Sequence, residues 1–290
     1  MILRAAVITS LTCLLAAPPV GAGGKSRSRA QGAHAEHGHG HQGSHDHAQG
    51  DSHHRHGHQG GKHAWGYEGA AGPQNWGSLS HDYERCSWGT QQSPIDIKTR
   101  AAGRSSWVGP VRFAYRDGAL EVLNNGHTIQ VASEGSSYAV LGGRRYELVQ
   151  FHFHSPSEHT VDGASFEMEA HFVHRDHQGQ LAVVAVLLTR GAFNPALQVV
   201  WDHMPRHANE RVAEPVGFNA TSLLPPSREA WHFPGSLTTP PCSEGVSWYV
   251  LKEPVEVSRA QIAAFRRVMP PNARPVQPLH GRQVVTSSWQ

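Results

Sequence analysis

Two short stretches, Gln150-Phe151-His152-Phe153-His154 and Glu169-Ala170-His171, restrict this chain more than any other feature of its sequence. Each alternates polar and apolar residues with a period of two. In a strand, residues two apart share a face, so His152 and His154 project together while Phe151 and Phe153 turn to the other side. Glu169 and His171 repeat the pattern. If the two strands pair as a hairpin, one register sets His152 opposite His171 and His154 opposite Glu169. Three imidazoles then converge from one rigid surface. Three neutral nitrogen ligands suit zinc, at about 2.0–2.1 Å each, and leave a fourth position open as catalytic sites do. Ligating histidines donate their other ring N–H to a partner, and Gln150 and Glu169 are placed to receive it.

The flanking sequence agrees with a sheet. Gly118 to Leu123 ends at Asn124-Asn125-Gly126, a turn signature, and His127 to Val131 resumes the alternation. Leu148 to His154 and Phe166 to His174 alternate as well. Leu181 to Leu188 is a continuous apolar run, the pattern of a strand buried on both faces, and Val246 to Leu251 is a further strand. One helix is expected after Ser258, a good N-cap, with Ile262, Phe265 and Val268 on one face and Pro270 as the stop. The expected fold is α+β, a single domain around a large, mainly antiparallel central sheet with short peripheral helices.

The chain begins differently. Met1 to Arg4 followed by the apolar run Ala5 to Ala17 and the small residues Val20-Gly21-Ala22 reads as a signal peptide over residues 1–22. The run is too short to span a bilayer comfortably. Residues 23–63 lack large apolar side chains, and such a segment cannot bury enough surface to offset its ordering entropy, so a disordered arm is expected there. Of the 23 histidines, eleven lie between His34 and His63; their Gly-His spacing suits several weak Zn, Cu or Ni sites. The folded domain is expected over residues 64–290. With Cys13 removed in the leader, Cys86 and Cys242 remain, and an even count in an exported chain points to one disulfide. A formal net charge of +2 gives no reason to expect nucleic acid or an anionic membrane as partner.

The segment His152-Phe-His154-Ser-Pro-Ser-Glu158 also fits the first half of a cupin metal motif, but the second half, Pro-x-Gly followed by His and Asn, is not found downstream. The chain instead resembles the α-carbonic anhydrases over nearly all of Trp65 to Gln290. Six segments carry the resemblance in family order: Trp65-Gly-Tyr67 with Gly72-Pro-Gln-Asn-Trp76, Gln92-Ser-Pro-Ile-Asp-Ile97, Asn124-Asn-Gly-His127, Gln150 to Gly163, Glu169-Ala-His171-Phe-Val-His174, and Ser236-Leu-Thr-Thr-Pro-Pro-Cys242.

That resemblance implies zinc-dependent, reversible hydration of carbon dioxide to bicarbonate and a proton, through a zinc-bound hydroxide. His152, His154 and His171 match the zinc ligands. Gln150, Glu169 and the backbone carbonyl of Asn272 match the acceptors behind them. Thr238 matches the residue that orients the hydroxide, with Glu158 behind it, and His127 matches the proton shuttle. Val173, Val183, Leu237, Val246, Trp248 and Thr239 match the substrate pocket, although each apolar residue among them would serve equally as plain core. Tyr67, Asn125 and Gln130 match residues that organise water. Cys86 and Cys242 match the disulfide of exported members, which agrees with the leader and with a periplasmic or secreted location. Carbon dioxide and bicarbonate are the expected partners, with no membrane contact after cleavage; a homodimer is left open.

Three positions depart from the family pattern. Ser155 follows the second ligand where a tryptophan is common. Phe233 stands where a tyrosine would bond His159, which leaves His159 to rely on Glu158 and backbone. Gln130 replaces a common asparagine. The competing function is a non-enzymatic periplasmic zinc store or carrier on the same scaffold, for which neither Thr238 nor His127 would be needed.

Overall fold

The computed structural model describes residues 64–287 apart from 106, 107, 110, 134 and 135. The signal segment over 1–22 and the arm over 23–63 lie outside the described residues.

Twelve strands form one sheet. From one edge its main path runs Arg211–Phe218, Gly118–Asn124, Ile129–Ala132, Arg144–His154, Met168–Arg175, Leu181–Arg190, Glu244–Val257, Ala230–Ser236, Val285–Ser287 and Gly103–Ser105. Arg112–Ala114 and Tyr138–Leu141 pair with each other, and the latter also pairs with Arg144–His154. Most pairings are antiparallel, but Leu181–Arg190 runs parallel to Glu244–Val257, and Val285–Ser287 runs parallel to Gly103–Ser105. A small three-stranded sheet of Asp96–Ile97, Thr160–Val161 and Ala164–Ser165 sits apart.

The apolar run in Leu181–Arg190 occupies a central position, and Ala182 to Leu188 are all buried. Its alternate residues feed two different cores. Val184, Val186 and Leu188 join Phe151, Phe153 and Phe172 under the helices Pro195–Asp202 and Arg259–Val268, which contribute Leu197, Val200, Trp201, Ile262 and Phe265. Val183, Ala185 and Leu187 join Val173, Phe233, Val246 and Trp248 on the opposite face. Each fully buried Phe or Leu contributes about 1.5–3 kcal/mol over its exposed state, so both faces are committed, and a one-residue slip would exchange their side chains.

The helix Arg259–Val268 begins at Ser258, whose hydroxyl accepts from the Gln261 N–H while the Gln261 side chain reaches back to the Ser258 N–H. This reciprocal cap satisfies two N–H groups that the helix cannot. In the tight connection after Gly118–Asn124, Asn125 Oδ1 accepts from the N–H groups of His127 and Thr128, and Gly126 adopts φ 83°.

Cys86 and Cys242 form a disulfide across a sequence separation of 156 residues. It ties the N-terminal turns around buried Trp76, on which Trp65 and Tyr67 pack, to the connection between the strands Ala230–Ser236 and Glu244–Val257. Closing so long a loop restricts the unfolded chain, and the chain-entropy relation gives about 4–5 kcal/mol. Cys86→Ala with Cys242→Ala is expected to lower the unfolding free energy by that order in urea titrations. A loss below about 1 kcal/mol would show that the unfolded ensemble is already constrained there.

Candidate metal centre and substrate cleft

The antiparallel pairing of Arg144–His154 with Met168–Arg175 sets His171 opposite His152 and Glu169 opposite His154. Both strands are central, so the three imidazoles stand on one inflexible surface. His154 and His171 are buried, and His152 is partly buried on the open side. Their ring centroids lie 4.6–5.2 Å apart, and one ligand nitrogen from each falls within 4.8 Å of the other two.

Hydrogen bonds fix which nitrogen each ring presents. His152 Nδ1 donates to Gln150 Oε1 at 2.9 Å, His154 Nδ1 to the Asn272 carbonyl at 2.7 Å, and His171 Nε2 to Glu169 Oε1 at 2.8 Å. All three partners are pure acceptors here, so those nitrogens carry the hydrogen. Lone pairs remain on His152 Nε2, His154 Nε2 and His171 Nδ1. His154 Nε2 is buried with no hydrogen-bond partner. Burial, followed by the neighbouring imidazoles His154 and His171, pushes His152 well below the ordinary histidine range. Burial likewise lowers His154. Both rings are therefore neutral, the form that ligates a metal. An orphaned buried nitrogen within a set of three imidazoles, each steered from behind, fits a zinc ion.

Glu169 is the hub beneath the site. Burial alone would raise its pKa, but His159 and His171 hold it well below the usual carboxylate value. Its Oε1 accepts from His159 Nδ1 at 2.6 Å as well as from His171, and its Oε2 accepts from the backbone N–H groups of Glu158 and His159. His159 thus leans on Glu169, not on Glu158 as its neighbourhood in sequence had indicated. The Phe233 departure has a visible consequence: its ring lies 5.6 Å edge-on from His159, and His159 Nε2 is buried without a partner.

Glu158 differs from expectation too. No hydrogen bond joins it to Thr238. Its Oε1 accepts from the Arg274 N–H at 2.9 Å, while Oε2 is buried, unpartnered, and directed at His154 Nε2 and His171 Nδ1 from 3.5 and 3.8 Å. Thr238, which follows Leu237 in sequence, is buried, and Thr239 begins the turn that its carbonyl closes with the Cys242 N–H. Burial lowers the Arg274 guanidinium to about 10, leaving it charged. It bonds Gln92 Oε1 and the carbonyls of Ser93 and Cys86, so the disulfide and the floor of the site share one polar network.

Val173, Val183, Val246 and Trp248 belong to one buried cluster, with Leu237 packed against it. The Trp248 ring lies 4.9 Å from His171, so this apolar wall abuts the group of three imidazoles. Gln130 pairs directly with His152 across strands and shares its face. His127 is partly buried and stacks on Trp65 with centroids 3.8 Å apart, a contact not evident from the sequence although both residues lie in matched segments. Burial lowers the His127 pKa. Tyr67 packs edge-on against Trp65 and Trp76, and burial, then the charge of Glu158, raises its pKa, keeping its hydroxyl protonated.

Asn272 contributes more than a carbonyl. Its side chain donates to the carbonyls of His127 and Phe153 and accepts from the Ser155 N–H, linking the His127 turn to the ligand strand. Ser155 in turn is held by Arg266 Nε at 2.8 Å and donates to the Glu167 carbonyl, which gives that departure a polar anchorage of its own. Neither the Asn272 contacts nor the Arg266–Ser155 bond had a local sequence signal, because they join residues more than a hundred positions apart.

The orphaned His159 Nε2 generates a direct test. Phe233→Tyr adds a hydroxyl to the ring that packs against His159, and if it bonds the orphaned nitrogen, one new buried hydrogen bond is expected to add about 1 kcal/mol to the unfolding free energy. A lower urea midpoint would mean that the site cannot admit the extra oxygen.

Comparison with known proteins assigns this geometry to a family. The family model described as eukaryotic-type carbonic anhydrase matches residues 71–288. A carbonic anhydrase of Nostoc is 45% identical over 224 residues, covering 76% of this chain and 85% of that protein. One from Pectobacterium atrosepticum is 42% identical, covering 76% and 90%. The solved α-carbonic anhydrase of Thermovibrio ammonificans, in complex with sulfanilamide, is 48% identical with a TM-score of 0.75, covering 78% of this chain and all of that one. The chain therefore belongs to the eukaryotic-type, or α, carbonic anhydrase family.

Proposed function

We propose that this carbonic anhydrase hydrates carbon dioxide at a zinc ion held by His152 Nε2, His154 Nε2 and His171 Nδ1. The observation that carries the reading is the convergence of three nitrogens within 4.8 Å, each ring fixed through its other nitrogen by Gln150, Asn272 or Glu169. When bound, zinc supplies a Lewis acid that makes water a nucleophile near neutral pH, for which carbonic anhydrases are the reference case.

The chain's own residues do the rest. Val173, Val183, Leu237, Val246 and Trp248 offer a nonpolar molecule an apolar wall beside His171. Thr238 orients the attacking oxygen; with a metal held on His154 and His171, the Glu158 Oε2 that faces those rings without a partner would be left to accept from the Thr238 hydroxyl. The Thr238 N–H and Thr239 face the substrate. As the new C–O bond forms, one C=O electron pair moves onto oxygen, giving bicarbonate. The proton of the water leaves along water ordered by Tyr67, Asn125 and Gln130 to His127, and from there to solvent. A neutral His127 is the acceptor, and its lowered pKa keeps it neutral to more acidic pH than a free imidazole.

Removal of residues 1–22 on export would place the enzyme in the periplasm or outside the cell. Among the described residues, no helix is long and apolar enough to cross a membrane. The eleven histidines between His34 and His63 gather Zn, Cu or Ni weakly and raise the local supply of metal to the catalytic site.

Stopped-flow hydration of carbon dioxide, with zinc assayed in parallel, tests the central reading. Fast turnover that disappears on dipicolinate stripping and returns with zinc is expected. Several bound zinc ions with no hydration above buffer would favour the storage reading instead. His127→Ala is expected to lower the maximal rate on the order of tenfold or more in dilute buffer, with imidazole restoring it. Unchanged turnover in dilute buffer would remove His127 from the proton path. Deleting residues 23–63 should lower zinc occupancy under zinc limitation without changing turnover of the zinc-loaded enzyme; equal occupancy would leave the arm without this role.

A further inference from the structure

On the face of the sheet opposite the three imidazoles lies a cavity of about 270 Å³. Its walls include Arg144, Tyr146, Gln180, His232, Ser247 and Tyr249. The opposition follows from the pleat. Along Glu244–Val257, Val246 and Trp248 join the cluster beside His171, whereas Tyr249 joins the cluster that holds Phe151 and Phe172.

Tyr249 is only 5% exposed, and its hydroxyl has no hydrogen-bond partner among the described residues. Burial pushes it up to about 12, so it remains a donor. Space in front of it is kept open by glycine: a Cβ at Gly142 would stand 3.0 Å from the Tyr249 hydroxyl, and Gly142 has φ 55°. Gly245, another wall residue, has φ 90°. His232 stacks on Tyr249 at 4.5 Å and donates Nδ1–H to the Trp248 carbonyl at 2.9 Å. Burial lowers its pKa, so the ring is neutral and its other nitrogen, Nε2, is a free acceptor. The Arg144 guanidinium bonds Asp176 through Nη1 at 2.8 Å and also bonds the Tyr146 side chain, which leaves only part of its N–H set available. The cavity therefore offers several donors, from Tyr249, Ser247, Gln180 and Arg144, around one acceptor, His232 Nε2.

We propose that this cavity is a second ligand site, for a small oxyanion that still carries one hydrogen, with its O–H donated to His232 Nε2 and its bare oxygens accepting from Tyr249, Ser247 and Arg144. Bicarbonate, the product of the chain's own reaction, and dihydrogen phosphate share that chemistry. Formate and chloride lack the O–H. The site stands on residues that take no part in the metal centre, so it survives or fails independently of the zinc reading.

The test is histidine-ring NMR on the full, zinc-loaded chain, with the His232 resonance assigned by its loss in His232→Ala. Sodium bicarbonate and sodium phosphate are titrated at fixed pH and ionic strength against sodium chloride and sodium formate. A saturable shift of the His232 signal with bicarbonate or phosphate supports the site, and the anion that saturates at lower concentration is its ligand. Tyr249→Phe keeps the ring in the core and is expected to weaken that binding on the order of tenfold while leaving carbon dioxide hydration unchanged. No saturable shift with either anion, an equal shift with formate, or undiminished binding in Tyr249→Phe would overturn the proposal.

Discussion

The antiparallel register between Arg144–His154 and Met168–Arg175 is the constraint on which the site depends. Pairing His152 with His171 and His154 with Glu169 does two things at once. It brings three imidazoles together, and it sends Phe151, Phe153 and Phe172 to the opposite face, where they are buried with Trp201 and Phe265. The register is enforced by that second face. Slipping Arg144–His154 by one residue would expel Phe151 and Phe153 from the core, each worth about 1.5–3 kcal/mol, and bury polar groups without partners. The hydrophobic core thus holds the geometry of the three imidazoles from behind.

Behind the imidazoles, the polar contacts form a hierarchy. A buried carboxylate is costly unless it is paired and hydrogen-bonded, and Glu169 meets that condition with four donors. Glu158 does not: one oxygen is bonded to the Arg274 N–H and the other faces His154 and His171 without a partner. Such an imbalance is typical of functional sites, where polar groups are arranged for what enters. Arg274 carries the same network to Cys86 and, through Gln92, to Cys242, so the disulfide supports the site floor as well as the chain ends.

Much of this was legible in the sequence, for physical reasons that can be named. Period-two alternation located Gly118–Asn124, Arg144–His154 and Met168–Arg175, because each has one apolar and one polar face. The continuous apolar run located Leu181–Arg190, because both of its faces are buried. The Ser258 cap located the helix Arg259–Val268. Strand ends were less clear: Arg144–His154 begins four residues before the alternation at Leu148, where Arg144 and Arg145 are exposed and carry no burial signal. The parallel pairing of Leu181–Arg190 with Glu244–Val257 was invisible, since two apolar strands far apart in sequence record neither order nor direction. Contacts that depend on chain folding were also hidden. These include Trp65 on His127, the Asn272 side chain between two loops, and the choice of Glu169 over Glu158 as partner of His159.

The central claim is that His152, His154 and His171 together hold one metal ion. Anomalous diffraction at the zinc absorption edge, on crystals of the zinc-loaded protein, tests it most directly. The account predicts a strong peak about 2.0–2.1 Å from each of His152 Nε2, His154 Nε2 and His171 Nδ1. A peak bonded instead to His159 and Glu169, or none between the three rings, would contradict it.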